Sequence, residues 1–213
     1  MRAALPFPLA VLLTVVTALA GCAVFKTNRP ATEDIPPYPP PASIRAEATV
    51  ELGKESTLAG RAVIHVKSPG YFRIEVFGPF GSTLALLASD GKRLFIFSQG
   101  ESRRYRWDGL DFPYPFTSED MVSFLLGSVL PKTVAAFDSI VQNERGRVIR
   151  VTRSRDGKEI FRASMSDFRA LKGASLPFSV SIEDAFEALN IKYSTVEINP
   201  DITDDIFMTG FSQ

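Results

Sequence analysis

Apolar and polar residues alternate with a period of two through most of the chain beyond position 43. In residues 44–52, Ala46, Ala48, Val50 and Leu52 interleave with Arg45, Glu47, Thr49 and Glu51. Successive strand side chains point to opposite faces, so this pattern predicts a strand with one face buried. The pattern returns at 58–67, around Val63-Ile64-His65-Val66, and at 71–77, where Phe72, Ile74 and Val76 alternate with Arg73 and Glu75. Further strands are predicted at 83–89, 93–98 and 102–107. Between them lie Pro69-Gly70, Gly78-Pro79, Asp90-Gly91 and Gln99-Gly100, which are turn dipeptides. Connections this short force antiparallel neighbours, hence a meander.

Two of these runs, Leu84-Ala85-Leu86-Leu87 and Leu94-Phe95-Ile96-Phe97, are apolar on both faces. Neither can turn a face to water, so either a helix packs on one side or the sheet curls around an apolar cavity. The helix candidate is 118–128. Thr117 is placed to cap it with Asp120 three positions on. Met121, Phe124 and Leu125 make an apolar stripe that Val122, Leu126 and Val129 widen, and Leu130-Pro131 stops it. Residues 135–143 fit strand or helix. Strands resume at 147–153 and 159–166, joined through Asp156-Gly157, a pair suited to the positive φ angles of a tight hairpin. A last pair is predicted at 178–183 and 191–198, with a short turn or helix over 200–207.

The start of the chain differs. After Arg2, residues 3–19 are apolar but short and broken by Pro6 and Pro8, and they end in Leu19-Ala20-Gly21-Cys22. This looks like a lipobox, where a peptidase cuts and Cys22 takes a lipid. Cys22 is the sole cysteine, so it has no internal disulfide partner. Three segments follow: a signal peptide (1–21), a lipidated, proline-rich tether (22–43) and a single domain (44–213). Pro30, Pro36, Pro37, Pro39, Pro40 and Pro41 favour an extended tether, up to roughly 60 Å at about 3.1 Å per residue. By its resemblance to Gram-negative lipoproteins, in which an Asp after the cysteine is the usual inner-membrane retention signal, Ala23 at that place implies the outer membrane.

Charge adds little. The 24 basic and 24 acidic residues cancel, which gives no electrostatic case for nucleic acid. His65 is the only histidine, and no metal site or cofactor is expected. The acidic pairs Glu119-Asp120, Glu183-Asp184 and Asp204-Asp205 point to opposite faces if extended, so spacing supplies no acid–base couple. No catalytic residue is nominated. In Arg103-Arg104-Tyr105-Arg106-Trp107, alternation puts Arg104 and Arg106 on one face and the other three opposite. That cluster is either a solvated strand or a contact for anionic lipid headgroups or an acidic partner.

Gly78-Pro79-Phe80-Gly81-Ser82-Thr83 places a phenyl ring at the tip of a turn, where tips face water. Either the ring folds back onto the sheet edge or it has a use outside. This segment resembles the strand–loop–strand of the LolB family of outer-membrane lipoproteins, within the LolA/LolB superfamily. Gly60-Arg61, Tyr71-Phe72-Arg73-Ile74, the Leu126-Gly127 helix end, Asp156-Gly157-Lys158 and Leu176-Pro177 resemble its other motifs in order. Phe124 stands where the family usually has a helical Trp, and residues 199–213 look more like the LolA carrier branch.

The resemblance implies a mainly β (α+β) fold: a strongly curved antiparallel sheet forming an incomplete barrel, with helices covering the concave side. It implies an apolar cavity for acyl chains, for which Ile74, Val76, Leu84, Leu86, Phe95, Phe97, Phe124 and Leu125 are the candidates. It makes Pro79, Phe80 and Gly81 a membrane-insertion loop. A monomer is expected, anchored to the outer membrane and facing the periplasm, not an enzyme. Its expected partners are a LolA-like periplasmic carrier, lipoprotein acyl chains and outer-membrane lipid. Two readings compete with lipoprotein insertion. One is a module of the same fold that binds or senses a lipid or envelope component. The other is a structural lipoprotein without a cavity.

Overall fold

A computed structural model describes residues 39–54, 58–109, 114–128, 137–184 and 187–208. All of these lie in one compact unit, residues 35–213, which contains the whole sheet and its core. Cys22, the signal segment and most of the tether fall outside the described residues.

Eleven antiparallel strands form one sheet. They are β1 (Ser43–Leu52), β2 (Leu58–Lys67), β3 (Tyr71–Phe77), β4 (Thr83–Asp90), β5 (Arg93–Ser98), β6 (Glu101–Arg106), β7 (Ser139–Gln142), β8 (Val148–Arg155), β9 (Lys158–Leu171), β10 (Ala174–Asp184) and β11 (Ala188–Ile198). Their order is β6-β5-β4-β3-β2-β1-β11-β10-β9-β8-β7, so the first and last strands pair at the centre. β6 and β7 are the edges, and the sheet does not close into a barrel. The expected mainly β, curved antiparallel architecture is the observed one.

Period-two patterning sets which face is buried. Ile44, Ala46, Ala48 and Val50 of β1, Ile64 and Val66 of β2, and Ile74 and Val76 of β3 are buried, while Arg45, Glu47, Thr49, Val63, His65, Arg73 and Glu75 between them are not. Helix α1 (Ser118–Leu126) covers this concave face, packing on β2, β3, β9 and β10. Its start is fixed by a capping box. The Asp120 N–H donates to Thr117 Oγ1 at 3.2 Å, and the Thr117 N–H donates to Asp120 Oδ2 at 2.8 Å. Its end is fixed by Gly127 in the left-handed region at φ 68°, one turn before the expected Leu130-Pro131 stop. A β-carbon at Gly127 would sit 2.4 Å from Pro177 Cδ, so only glycine lets the helix end rest on β10.

The second helix, α2 (Asp205–Met208), does not cover the concave side. Its Phe207 is buried and packs at a tilt against the Tyr71 ring, on the face of β3 opposite Phe72 and Ile74. Residues 139–142 of the ambiguous stretch form an edge strand. Two later strands are longer than the pattern predicts. β9 and β10 meet in a tight turn at Lys172-Gly173 (φ 47° and 77°), and Pro177 lies inside β10 rather than before it.

The end of the tether docks on the domain. The Ala42 and Ser43 N–H groups donate to Asn199 Oδ1 at 2.9 and 3.2 Å, and the Asn199 N–H donates to Ser43 O.

Candidate functional site

Curvature creates a cavity. Ile96 of β5 and Ile182 of β10 stand six strand positions apart, which in a flat sheet is roughly 29 Å at about 4.8 Å per strand. Yet both line one cavity of about 190 Å³. The sheet therefore rolls until its wings face each other. Ala85, Leu87, Leu94 and Ile96 form one wall, and Leu52, Ile182 and Leu189 the opposite one. These latter three belong to one cross-strand row, because Leu52 pairs with Leu189 and Leu189 with Ile182.

Aromatic rings close the inner end. Phe72, Trp107 and Phe116 line the cavity and contact one another in series, with centroids 6.2 Å apart at each step. Trp107 is fixed by its indole N–H, which donates to buried Ser89 Oγ at 2.9 Å, while Ser89 in turn donates to Gly70 O. The series continues through Phe161 and Phe124 to Phe137, so the cavity wall joins the helix-packed core. At the open end stand Ser98, Tyr114, Asp184 and Glu187. Burial, with help from Asp184, pushes the Tyr114 phenol up to about 12, so it stays a neutral hydrogen-bonding group.

The volume decides what fits. It slightly exceeds the roughly 150 Å³ of an engineered apolar cavity that admits benzene, and lies below the roughly 300 Å³ at which small-molecule pockets begin. One short stretch of alkyl chain fits. Several full acyl chains require the walls to move apart.

The eight cavity candidates from the sequence sit elsewhere. Ile74, Val76, Phe124 and Leu125 are fully buried in the core beside the cavity and do not line it. Leu86 and Phe95 form a separate cluster with Ala88 and Phe97 on the other face of β4 and β5, where the Arg104 guanidinium lies over the Phe95 ring. Leu84 packs on Gly78 at the loop base. Pairing explains the division. Ile74 lies opposite Leu87, and Leu87 opposite Ile96, so the concave residues of β4 and β5 are the odd and even partners of the ones named.

The loop between β3 and β4 holds its aromatic outward. Phe80 is 98 % exposed. The turn does not depend on the ring: the Gly81 N–H donates to Gly78 O at 3.0 Å and the Gly78 N–H to Ser82 O at 2.8 Å, with Gly81 at φ 77°. Pro79 presets the turn backbone. At the base, Thr83 Oγ1 donates to Glu75 Oε1 and Arg73 pairs with Glu75 at 2.6 Å. The ring folded back onto the sheet edge is thus not what the structure contains.

Among the described residues, no group of three His, Cys, Asp or Glu side chains could hold a metal ion, and no helix is long and apolar enough to cross a membrane.

With this geometry in view, similar solved structures are informative. A LolA superfamily protein of Nitrosomonas europaea superposes with a TM-score of 0.52 at 14 % identity, over 82 % of this chain and 94 % of that one. The chain shares that fold. A DUF1329 family protein of Desulfovibrio piger superposes with a TM-score of 0.51 at 12 % identity, over 81 % of this chain and 92 % of the other. No protein-family model and no curated protein matches the sequence.

Proposed function

We propose that this is a lipid-anchored outer-membrane lipoprotein that takes up acyl chains of other lipoproteins and inserts that cargo into the outer membrane without catalysing a reaction. The apolar cavity between the rolled wings of the sheet carries the reading. Burying a methylene is favourable in any apolar surrounding, so such a cavity needs no directional chemistry to hold a tail. A bilayer offers the tail an equivalent environment, so release needs no nucleotide. Cys22 would tether the domain, a LolA-like carrier would deliver the cargo, and the Pro79-Phe80-Gly81 tip would enter the bilayer.

The small volume favours a second reading, a protein of the same fold that binds one lipid tail and keeps it. Cargo transfer separates the two. The protein loaded with an acylated lipoprotein is mixed with liposomes, and the cargo is followed by flotation. Transfer by the wild type and its loss in Phe80→Glu is the expected result. Retention of cargo by the wild type selects the second reading, and no uptake of cargo or of any alkyl ligand refutes both.

A further inference from the structure

The cavity wall is apolar, but its open end carries charge of one sign. Among the described residues that line it, Asp184 and Glu187 are the charged ones. The connection between β10 and β11 holds them together: the Glu187 N–H donates to Asp184 Oδ1 at 2.8 Å and the Asp184 N–H to Glu187 O at 3.0 Å. Both carboxylates act on the Tyr114 hydroxyl, which burial chiefly and their charge secondarily hold protonated. A recess of about 370 Å³ continues outward from this end, sharing Ser98, Tyr114 and Glu187 with the cavity and adding Glu101 and Arg103. Arg103 is engaged by Glu101 at 3.3 Å and by Tyr105.

A guest with its tail in the cavity therefore brings its polar end out among three carboxylates and one guanidinium that already has an acidic partner. At such a partly enclosed mouth, charges act more strongly than in bulk water, and low salt strengthens them further. An anionic end is repelled there and an ammonium end is stabilised.

We propose that the cavity selects amphiphiles whose polar end is an ammonium group over those ending in a carboxylate. This inference rests on the acyl-binding reading above and specifies its ligand class. The test uses the compact 35–213 unit and a neutral fluorophore, N-phenyl-1-naphthylamine, displaced at pH 7 by octylammonium, 1-octanol or octanoate. These three share a tail that suits the small cavity. The expected order of affinity is octylammonium, then octanol, then octanoate, with at least tenfold between the ends and compression of that range in 0.5 M salt. In Asp184→Asn/Glu187→Gln, the ratio of octylammonium to octanoate affinity falls to within about threefold. Equal affinities, or a preference for octanoate, overturn the selectivity and leave the cavity reading standing. If neither the fluorophore nor any octyl compound binds, the acyl-binding reading falls and the selectivity with it.

Discussion

Phe80→Ala tests the loop most directly. The ring is 98 % exposed, so it gives up nothing to the folded state and has its whole surface available to a bilayer. Fully burying a phenylalanine side chain contributes about 1.5–3 kcal/mol, and truncation to alanine removes most of that, about 2 kcal/mol. At about 1.4 kcal/mol per decade, membrane partitioning should drop roughly 30-fold. Folding stability should change by less than about 0.5 kcal/mol, because the turn is held by backbone bonds of Gly78, Gly81 and Ser82 rather than by the ring. Flotation of the 35–213 unit with phosphatidylethanolamine and phosphatidylglycerol vesicles measures the first quantity, and thermal unfolding the second. Met208→Ala is the control, since Met208 is also exposed but lies in α2 and not at the loop. Binding of the Phe80→Ala protein within twofold of wild type, at unchanged melting temperature, would refute the reasoning.

Three other outcomes are expected. Ala85→Leu puts three carbons into the cavity from its wall and should weaken N-phenyl-1-naphthylamine binding at least tenfold, at a cost of about 1–3 kcal/mol in chemical denaturation. Gly127→Ala combines a left-handed backbone with a β-carbon 2.4 Å from Pro177 Cδ, and should lower stability by more than about 2 kcal/mol in the same assay. Acid should destabilise the fold in two steps. Burial chiefly, then Arg45 and Arg73, holds the His65 pKa below its ordinary 6.5, so its contribution is complete above pH 6.5 and is lost as pH falls below it. Burial alone would raise Glu75, but Arg73 and Thr83 hold it below its ordinary 4.5, and that contribution is lost at more acid pH. His65→Gln should flatten the first step in urea titrations at pH 7.5 and 5.5 and leave the second.

The meander through β6 was legible because each connection from β2 onward carries a turn signal and each strand up to β3 has one polar face. The capping box of α1 was legible for the same local reason. Faces became ambiguous at β4 and β5, where Leu84 to Leu87 and Leu94 to Phe97 are apolar throughout, so alternation alone cannot say which set looks inward. Only the pairing of Ile74 with Leu87 decides, and a register shift between Val76 and Phe77 hides it from simple counting across the loop. Lys172-Gly173 carries no clear hairpin signal because lysine rarely adopts positive φ, and Pro177 reads as a strand boundary although it lies inside β10. Trp107, Tyr114, Asp184 and Glu187 meet across more than 70 positions of sequence, a juxtaposition that rolling of the sheet produces and no local pattern encodes. The outward pose of Phe80 was one of two open alternatives, and the backbone bonds of its turn separate them.

The pairing of β1 with β11 at the middle of the sheet has a consequence for biogenesis. Residues 44–52 find their central partner only after residues 189–198 exist. A chain still emerging from the ribosome therefore holds two half-sheets with an unsatisfied seam between them. Contacts of such long sequence separation are slow to form. Completion of the domain must follow synthesis of its last strand, and a truncation that stops short of Ala188 should leave a species competent for holdase chaperones rather than a smaller folded protein.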